Sequence, residues 1–148
     1  MQRLSFVGRS LSLALLYFAA ALNLVGCSRK IPEIPQASVD HLETIYQAFD
    51  KASETLGRGP KDMEEFKKFL PAGQSVDDVL TSPRDGKPYK LVWNVNPRVP
   101  PITTSPPLIA YEQEGKDGLF DAITTMGVIR CNGDELKKYI ADTPGAGQ

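Results

Sequence analysis

The stretch Leu108–Leu136, LIAYEQEGKDGLFDAITTMGVIRCNGDEL, carries the strongest information about the fold of this chain. Leu108–Glu112 is a short apolar run that predicts a strand, and the charged segment Gln113–Gly118 predicts the turn after it. Phe120–Met126 and Val128–Cys131 are two further strand-like runs, separated by a glycine. Strands joined by such short turns pair with each other in antiparallel fashion, so the stretch predicts a small antiparallel sheet.

A capping motif follows the last of these strands. Asn132 is expected to cap a helix, and Glu135 stands three residues later, as in a capping box with Asn in place of Ser or Thr. We therefore predict a short helix over Asp134–Ala141. The remaining residues, 142–148 (DTPGAGQ), predict a flexible tail.

Before the sheet, the segment Ser82–Val95 (SPRDGKPYKLVWNV) combines a tight-turn signal with an alternating pattern. The letters RDGK predict the turn, because Asp and Gly favour turn conformations. One face of the strand that follows is expected to carry Tyr89, Leu91 and Trp93.

The segment Val39–Leu56 has the clearest helical pattern. Ser38 is expected to cap this helix and Gly57 to end it. Two shorter helical segments, Lys61–Leu70 and Val76–Leu80, follow a break at GRGP. Apolar residues at helical spacing form one face of the first helix: Val39, Leu42, Ile45, Tyr46, Phe49, Ala52 and Leu56.

Together these elements predict an α+β fold. A long N-terminal helix and a short helix pack on a small antiparallel sheet, and a short C-terminal helix ends the domain. The globular domain is expected over residues 38–141.

Two segments of this chain resemble type IV pilin-like proteins, and are most similar to pseudopilins and to small proteins of planctomycete-type bacteria. SPRDGKPYKLVW resembles a pseudopilin turn that leads into a "PY" strand, and the stretch from Leu108 resembles their closing strands and capped helix. The resemblance covers Val39–Ile140 and implies a pilin-like domain. It departs from the family at Met126 and Gly127, where related sequences often have Asp-Gly, and in lacking the uncut N-terminal helix that builds filaments.

The first 26 residues predict a secretory leader. The first nine residues carry two arginines and no acid, and Ser10–Leu22 is apolar but short for a membrane span. The letters LVGC at Leu24–Cys27 resemble the bacterial lipobox. This resemblance implies cleavage just before Cys27 and lipidation of that cysteine, which would anchor the chain to a membrane.

The mature chain is then expected to begin with lipidated Cys27 and a tether, residues 27–37. Its partners would be the membrane, through the lipid anchor, and an unknown envelope protein. Ser28 rather than Asp follows the cysteine, and by analogy with proteobacterial sorting this indicates the periplasm-facing outer membrane. A plain signal anchor with an incidental cysteine is the alternative.

Calcium binding by some pseudopilins, which use acidic residues near their C-terminal strands, suggests the first candidate site. The resemblance implies a Ca²⁺ or small-ligand site formed by Glu112, Glu114, Asp117 and Asp121. Their spacing matches no EF-hand loop, and a solvated charged turn is the simpler interpretation.

The second candidate site is the proline-rich loop Asn96–Pro107 (NPRVPPITTSPP), with Pro100, Pro101, Thr103 and Thr104 as its contact residues. Prolines reduce the entropy lost on binding, so the loop can present a preset surface. The alternative is a stiff connection across the end of the sheet.

The sequence favours a non-catalytic protein without a cofactor. It contains no nucleophile elbow, zinc motif or phosphate-binding loop, and no basic stripe interleaved with aromatic residues for nucleic acid. Cys131 lies in a strand-like run and is expected to be buried, and His41 is expected to be a surface or capping residue. The main hypothesis is therefore an envelope lipoprotein with a structural or adaptor role.

Overall fold

The structure combines helices with one antiparallel sheet, which confirms the predicted α+β class. It is a computed structural model that describes residues 32–102 and 104–146. The elements in chain order are α1 (Gln36–Leu56), α2 (Met63–Lys67), α3 (Val76–Leu80), β1 (Lys90–Leu91), β2 (Leu108–Tyr111), β3 (Leu119–Thr124), β4 (Gly127–Asn132) and α4 (Gly133–Asp142).

The four strands pair in the order in which they occur along the chain, and every pair is antiparallel. The turn between β3 and β4 contains Thr125 and Met126, so the predicted hairpin around Gly127 is confirmed. Ile123 and Val128 lie beside residues of α1, whereas Ile129 and Cys131 lie beside residues of α4. Because side chains alternate across a strand, α1 and α4 cover opposite faces of the sheet.

The apolar face of α1 forms the centre of the core. Leu42, Ile45 and Phe49 are completely buried, as the helical spacing predicts. The Phe49 ring lies 5.9 Å from that of Phe66 and is stacked 6.3 Å from that of Trp93. These ring contacts join α1 to α2 and to the segment that follows β1.

The ends of two helices differ from the predictions. α1 begins at Gln36, so Ser38 lies inside the helix, where it is buried, and the prediction that it caps the helix is wrong. Pro35 stands at the cap position without a side-chain hydrogen bond, and its carbonyl accepts from the N–H groups of Ser38 and Val39. α2 is shorter than predicted at both ends: Asp62 caps its start, accepting from the backbone N–H of Glu65 at 2.8 Å, and the helix ends at Lys67.

β1 is only two residues long, and the predicted alternation along it is wrong beyond Tyr89. Val92 is almost completely buried, whereas Trp93 is only partly buried. The chain turns at Asn94, whose φ is 62°, and the Asn94 N–H donates to the carbonyl of Pro60 at 2.8 Å. Gly59 permits this close approach, since a Cβ there would lie 2.0 Å from the carbonyl oxygen of Val95.

The segment after α4 is packed against the domain, so the prediction of a flexible tail is wrong for Thr143 and Ala146. Both residues are buried. The Thr143 hydroxyl accepts a hydrogen bond from the Leu108 N–H at 2.9 Å and donates to the Tyr139 carbonyl at 2.8 Å. The tail therefore fixes the start of β2, and the domain extends past residue 141.

The predicted capping box is present at the start of α4. The Asn132 side chain accepts from the backbone N–H of Glu135 at 3.0 Å, and the Glu135 carboxylate accepts from the Asn132 N–H at 2.9 Å. Among the helices that the structure describes, none is both long and apolar enough to cross a bilayer.

Candidate functional site

Four side chains form one row across the sheet, which we call the cross-sheet row: Tyr89, Glu112, Asp121 and Arg130. Extended by one residue, the pairing of Lys90 with Tyr111 places Tyr89 opposite Glu112, and the Glu112 N–H donates to the carbonyl of Asp121 at 3.0 Å. Asp121 is paired with Arg130 in the register of β3 on β4. Opposed residues in an antiparallel sheet project to the same face, so the four side chains are neighbours.

Asp121 forms ion pairs with two arginines. Arg130 donates to its two carboxylate oxygens through Nε at 2.6 Å and Nη2 at 2.8 Å, which is a bidentate ion pair. The Nε of Arg84, which comes from the turn before β1, lies 3.4 Å from Oδ2 of the same carboxylate.

Glu112 is satisfied by a different set of donors. The Ser82 hydroxyl donates to Oε1 at 2.6 Å, and the Asp121 N–H donates to Oε2 at 2.8 Å. The Arg84 Nη2 lies 3.2 Å from Oε2 and also donates to the Leu119 carbonyl at 2.7 Å. Arg84 therefore binds both carboxylates and fixes the turn before β3.

Both carboxylates are completely buried, while the side chains of Arg84 and Arg130 are 10% and 5% exposed. Two positive and two negative charges make the group neutral overall, as buried charges require. The hydrogen bond with Asp121 raises the pKa of the Arg130 guanidinium, so this arginine stays charged. Burial raises the pKa of Tyr89, whose hydroxyl lies near Ser38 without a well-formed hydrogen bond.

Arg130 also binds the first residues that the structure describes. Its Nη1 donates to the carbonyls of Pro32 and Glu33, both at 2.8 Å. One guanidinium thus joins the sheet to the segment that precedes α1. The C-terminal part of the predicted tether, residues 27–37, is therefore attached to the sheet through Pro32 and Glu33.

The four acidic residues proposed for calcium do not come together. Glu114 is exposed and lies 3.7 Å from the Lys87 ammonium, and Asp117 is exposed at a turn position with a φ of 55°. No group of three or more His, Cys, Asp or Glu side chains within the described residues could hold a metal ion. The oxygens of Asp121 accept from Arg130, and those of Glu112 accept from Ser82 and the Asp121 N–H, so this geometry does not support the predicted Ca²⁺ site.

The middle of the proline-rich loop is exposed at residues 98–102 and at Thr104, and the loop is fixed to the C-terminal half of α1. Arg98 donates to both carboxylate oxygens of Asp50 at 2.8 Å, and the Asn96 side chain donates to the Gly57 carbonyl at 3.1 Å. Ile102 is 98% exposed. The proposed contact residues Pro100, Pro101 and Thr104 are exposed, while Thr103 and the predicted lipidation site Cys27 lie outside the described residues.

Cys131 is buried, as predicted. Burial raises the pKa of its thiol to about 11, and the nearby Glu135 and Asp121 carboxylates act in the same direction. The thiolate is the reactive form of cysteine, so this thiol is expected to be inert near neutral pH.

We expect alkylation of Cys131 in the folded protein at pH 8 to be about a hundredfold slower than that of an unfolded thiol, because only about one thiol in a thousand is ionised. The rate should rise about tenfold per pH unit towards the pKa. The measurement is iodoacetamide labelling followed by mass spectrometry in a Cys27→Ser variant, in which Cys131 is the single cysteine. The same variant in urea is the control, and equal rates in the two states would contradict burial of the thiol.

The chain matches no protein-family model, no curated protein and no solved structure. The pilin-like interpretation thus stays a prediction from the two sequence segments that carry it.

Arg84, Ser82 and Arg130 belong to the candidate site, but the sequence patterns do not single them out. Arg84 lies in a predicted turn and Arg130 in a predicted strand. One signal was present: an arginine in the middle of the apolar run GVIRC and an aspartate in the middle of LFDAIT occupy strand positions where an unpaired charge is costly. Two such charges on adjacent strands indicate a buried pair.

Proposed function

We propose that this chain is a lipid-anchored protein of the cell envelope with a non-catalytic structural or adaptor role, carried by a pseudopilin-like domain. The anchor is Cys27, in the sequence LVGC after an apolar leader. Covalent lipid on one residue keeps a protein on a bilayer when it contributes more than one acyl chain.

The observation that carries the proposal is the hydrogen bonding of Arg130 to the carbonyls of Pro32 and Glu33. A protein that transmits position or force from an anchor to a partner needs its tether fixed to its rigid core. Here the fixing group is itself held by a bidentate pair with Asp121 on the central part of the sheet.

The chemistry of the buried row also favours a structural role. General acid or base catalysis requires a carboxylate that can reach substrate, whereas both oxygens of Asp121 and Glu112 accept from neighbouring protein donors. These groups hold the turn before β1, the turn before β3 and the tether in one arrangement.

The anchor is tested by detergent phase partition and by mass spectrometry of the purified full chain expressed in a bacterial host. We expect the protein in the detergent phase, beginning at Cys27 and carrying a diacylglyceryl group and an amide-linked acyl chain. Cys27→Ser should move to the aqueous phase. Cys131→Ser is the matched control and should partition like the wild type, since Cys131 is buried in the domain. An intact leader or an unmodified thiol at Cys27 would contradict the anchor.

A further inference from the structure

The outer edge of β1 offers main-chain groups that form no hydrogen bond with the described residues. Val92 donates its N–H to the carbonyl of Ile109 at 2.8 Å, so Val92 and Ile109 form a hydrogen-bonded pair. Such pairs alternate along an antiparallel ladder, and the next residue, Leu91, therefore directs its N–H and C=O away from β2. This residue lies at the edge of the sheet, since β1 is the first strand in the sheet order.

The edge is closed on both sides of Leu91. Tyr89 donates its N–H to the carbonyl of Leu80 at 2.7 Å, and Asn94 donates to that of Pro60 at 2.8 Å. Protein segments thus already cover the positions before and after Leu91. What remains is a short window at which one extended residue from another chain can form two main-chain hydrogen bonds.

A groove of about 640 Å³ lies over this window, and we call it the β1-edge groove. Its apolar lining includes Met63, Leu91, Trp93 and Pro144. The volume is within the usual range of ligand sites, about 300–1,000 Å³. The flat indole of Trp93 is supported from behind by its stacking on Phe49.

The charge around the β1-edge groove is positive. Lys61 and Lys90 line it, and none of its described lining residues is acidic. Lys61 lies 3.7 Å from Glu65, but that carboxylate is already bound at 2.8 Å by Arg58. Lys90 has no ion pair within the described part of the chain.

We propose that the β1-edge groove binds an extended acidic segment of a partner protein by adding it to the sheet as a short strand. Main-chain hydrogen bonds to Leu91 would supply the pairing, and the two lysines would select carboxylate side chains on either side of it. β1 is only two residues long and contains a lysine, and both features disfavour pairing of this edge with unrelated strands. A strand that binds here therefore needs negative charge to match the lysines. The inference rests on the proposed adaptor role and assigns its partner surface.

The probe is a blocked heptapeptide of alternating valine and glutamate, titrated into the full chain in detergent. Trp93 is the single tryptophan and reports directly on the groove. We expect a saturable change in its fluorescence. The same peptide with an N-methyl group on its central residue cannot complete the main-chain bonds and should bind about tenfold more weakly, and a valine–lysine peptide should not bind.

Lys90→Glu is expected to weaken binding of the glutamate peptide about tenfold. Lys138→Glu, a charge reversal at an exposed position on α4 outside the groove, is the matched control and should bind like the wild type. Equal binding of the N-methylated or lysine peptide, an equal loss in both variants, or no response up to about 1 mM peptide would overturn the proposal. So would a Trp93 change that depends on protein concentration alone, which would assign the groove to a second copy.

The titration is repeated on Cys27→Ser to separate this inference from the anchoring proposal. Peptide binding should be the same with and without the lipid, because the groove residues that would bind the peptide, Lys61, Lys90 and Leu91, are unchanged in this variant. A wild-type chain that carries no lipid but binds the peptide would contradict only the anchoring proposal, and failure of binding in a lipidated chain would contradict only the edge-strand proposal.

Discussion

Asp121→Ala is expected to lower the free energy of unfolding by about 3–5 kcal/mol, because it leaves two buried arginines without their shared carboxylate. Arg130 would lose a bidentate partner at 2.6 and 2.8 Å, and Arg84 would lose a contact at 3.4 Å. Urea denaturation at neutral pH, followed by circular dichroism, measures the change. Since the total free energy of unfolding of a small domain is about 5–15 kcal/mol, this variant should be close to unfolding at physiological temperature.

A second readout tests the link between Asp121 and the tether. With Arg130 no longer held, the first turn of α1 should open more often. The N–H groups of Ser38 and Val39 donate to the Pro35 carbonyl, so their amide hydrogen exchange should accelerate more than that at the C-terminal end of α1. Uniform acceleration along α1 would show that the effect is global and that Arg130 does not fix the tether.

Glu114→Ala is the matched control for Asp121→Ala. Its side chain is 65% exposed and lies 3.7 Å from Lys87. Exposed ion pairs contribute at most about 1 kcal/mol, so the control should change stability by less than that. Similar losses in both variants would contradict the view that the stabilising carboxylates are the buried ones.

Phe49→Ala is expected to cost about 3–5 kcal/mol, because it removes a completely buried aromatic side chain and leaves a cavity between two helices. The ring contacts Phe66 of α2 and stacks on Trp93. Its loss should also increase the solvent exposure of the indole, so the Trp93 emission of the folded variant should shift to longer wavelength. Urea denaturation gives the free energy, and the folded baseline gives the emission maximum.

The control for Phe49→Ala is Leu56→Ala on the same helix, where the side chain is 41% exposed. We expect a loss below about 1.5 kcal/mol there, since only part of the side chain leaves an apolar environment. An unshifted Trp93 emission in Phe49→Ala would mean that the indole is positioned by other groups, and the support assigned to the β1-edge groove would then be incorrect.

Features encoded within a few residues were predictable. The capping box of Asn132 and Glu135, the hairpin around Gly127 and the apolar face of α1 each depend on spacing of two to four residues. The first two are confirmed, and the third is confirmed except at Leu56, which is 41% exposed at the end of the helix. The failures occurred where distant contacts override local preference. Ser38 is buried instead of capping, and Thr143 is fixed by the start of β2, 35 residues away.

The candidate site was only partly accessible from sequence. Glu112 and Asp121 were singled out as acidic residues near one turn, but the nature of their partners was wrong. A carboxylate can bind either a metal ion or an arginine, and which of the two it binds depends on the groups that the fold places beside it. Arg84 reaches Glu112 from 28 positions earlier in the chain, and no local pattern encodes that approach.

The sequence by itself determined the strand-and-helix order, the hairpin turns and the helix cap, because short-range hydrogen bonding and hydrophobic spacing select them. The tertiary structure decided which charges are buried together and which edge of the sheet stays open. Those outcomes depend on strand register and on contacts such as that between Arg130 and Pro32, 98 residues apart. A charged side chain can be buried only when an opposite charge or a hydrogen-bonding group lies beside it, and distant parts of the chain supply these partners only in the assembled fold.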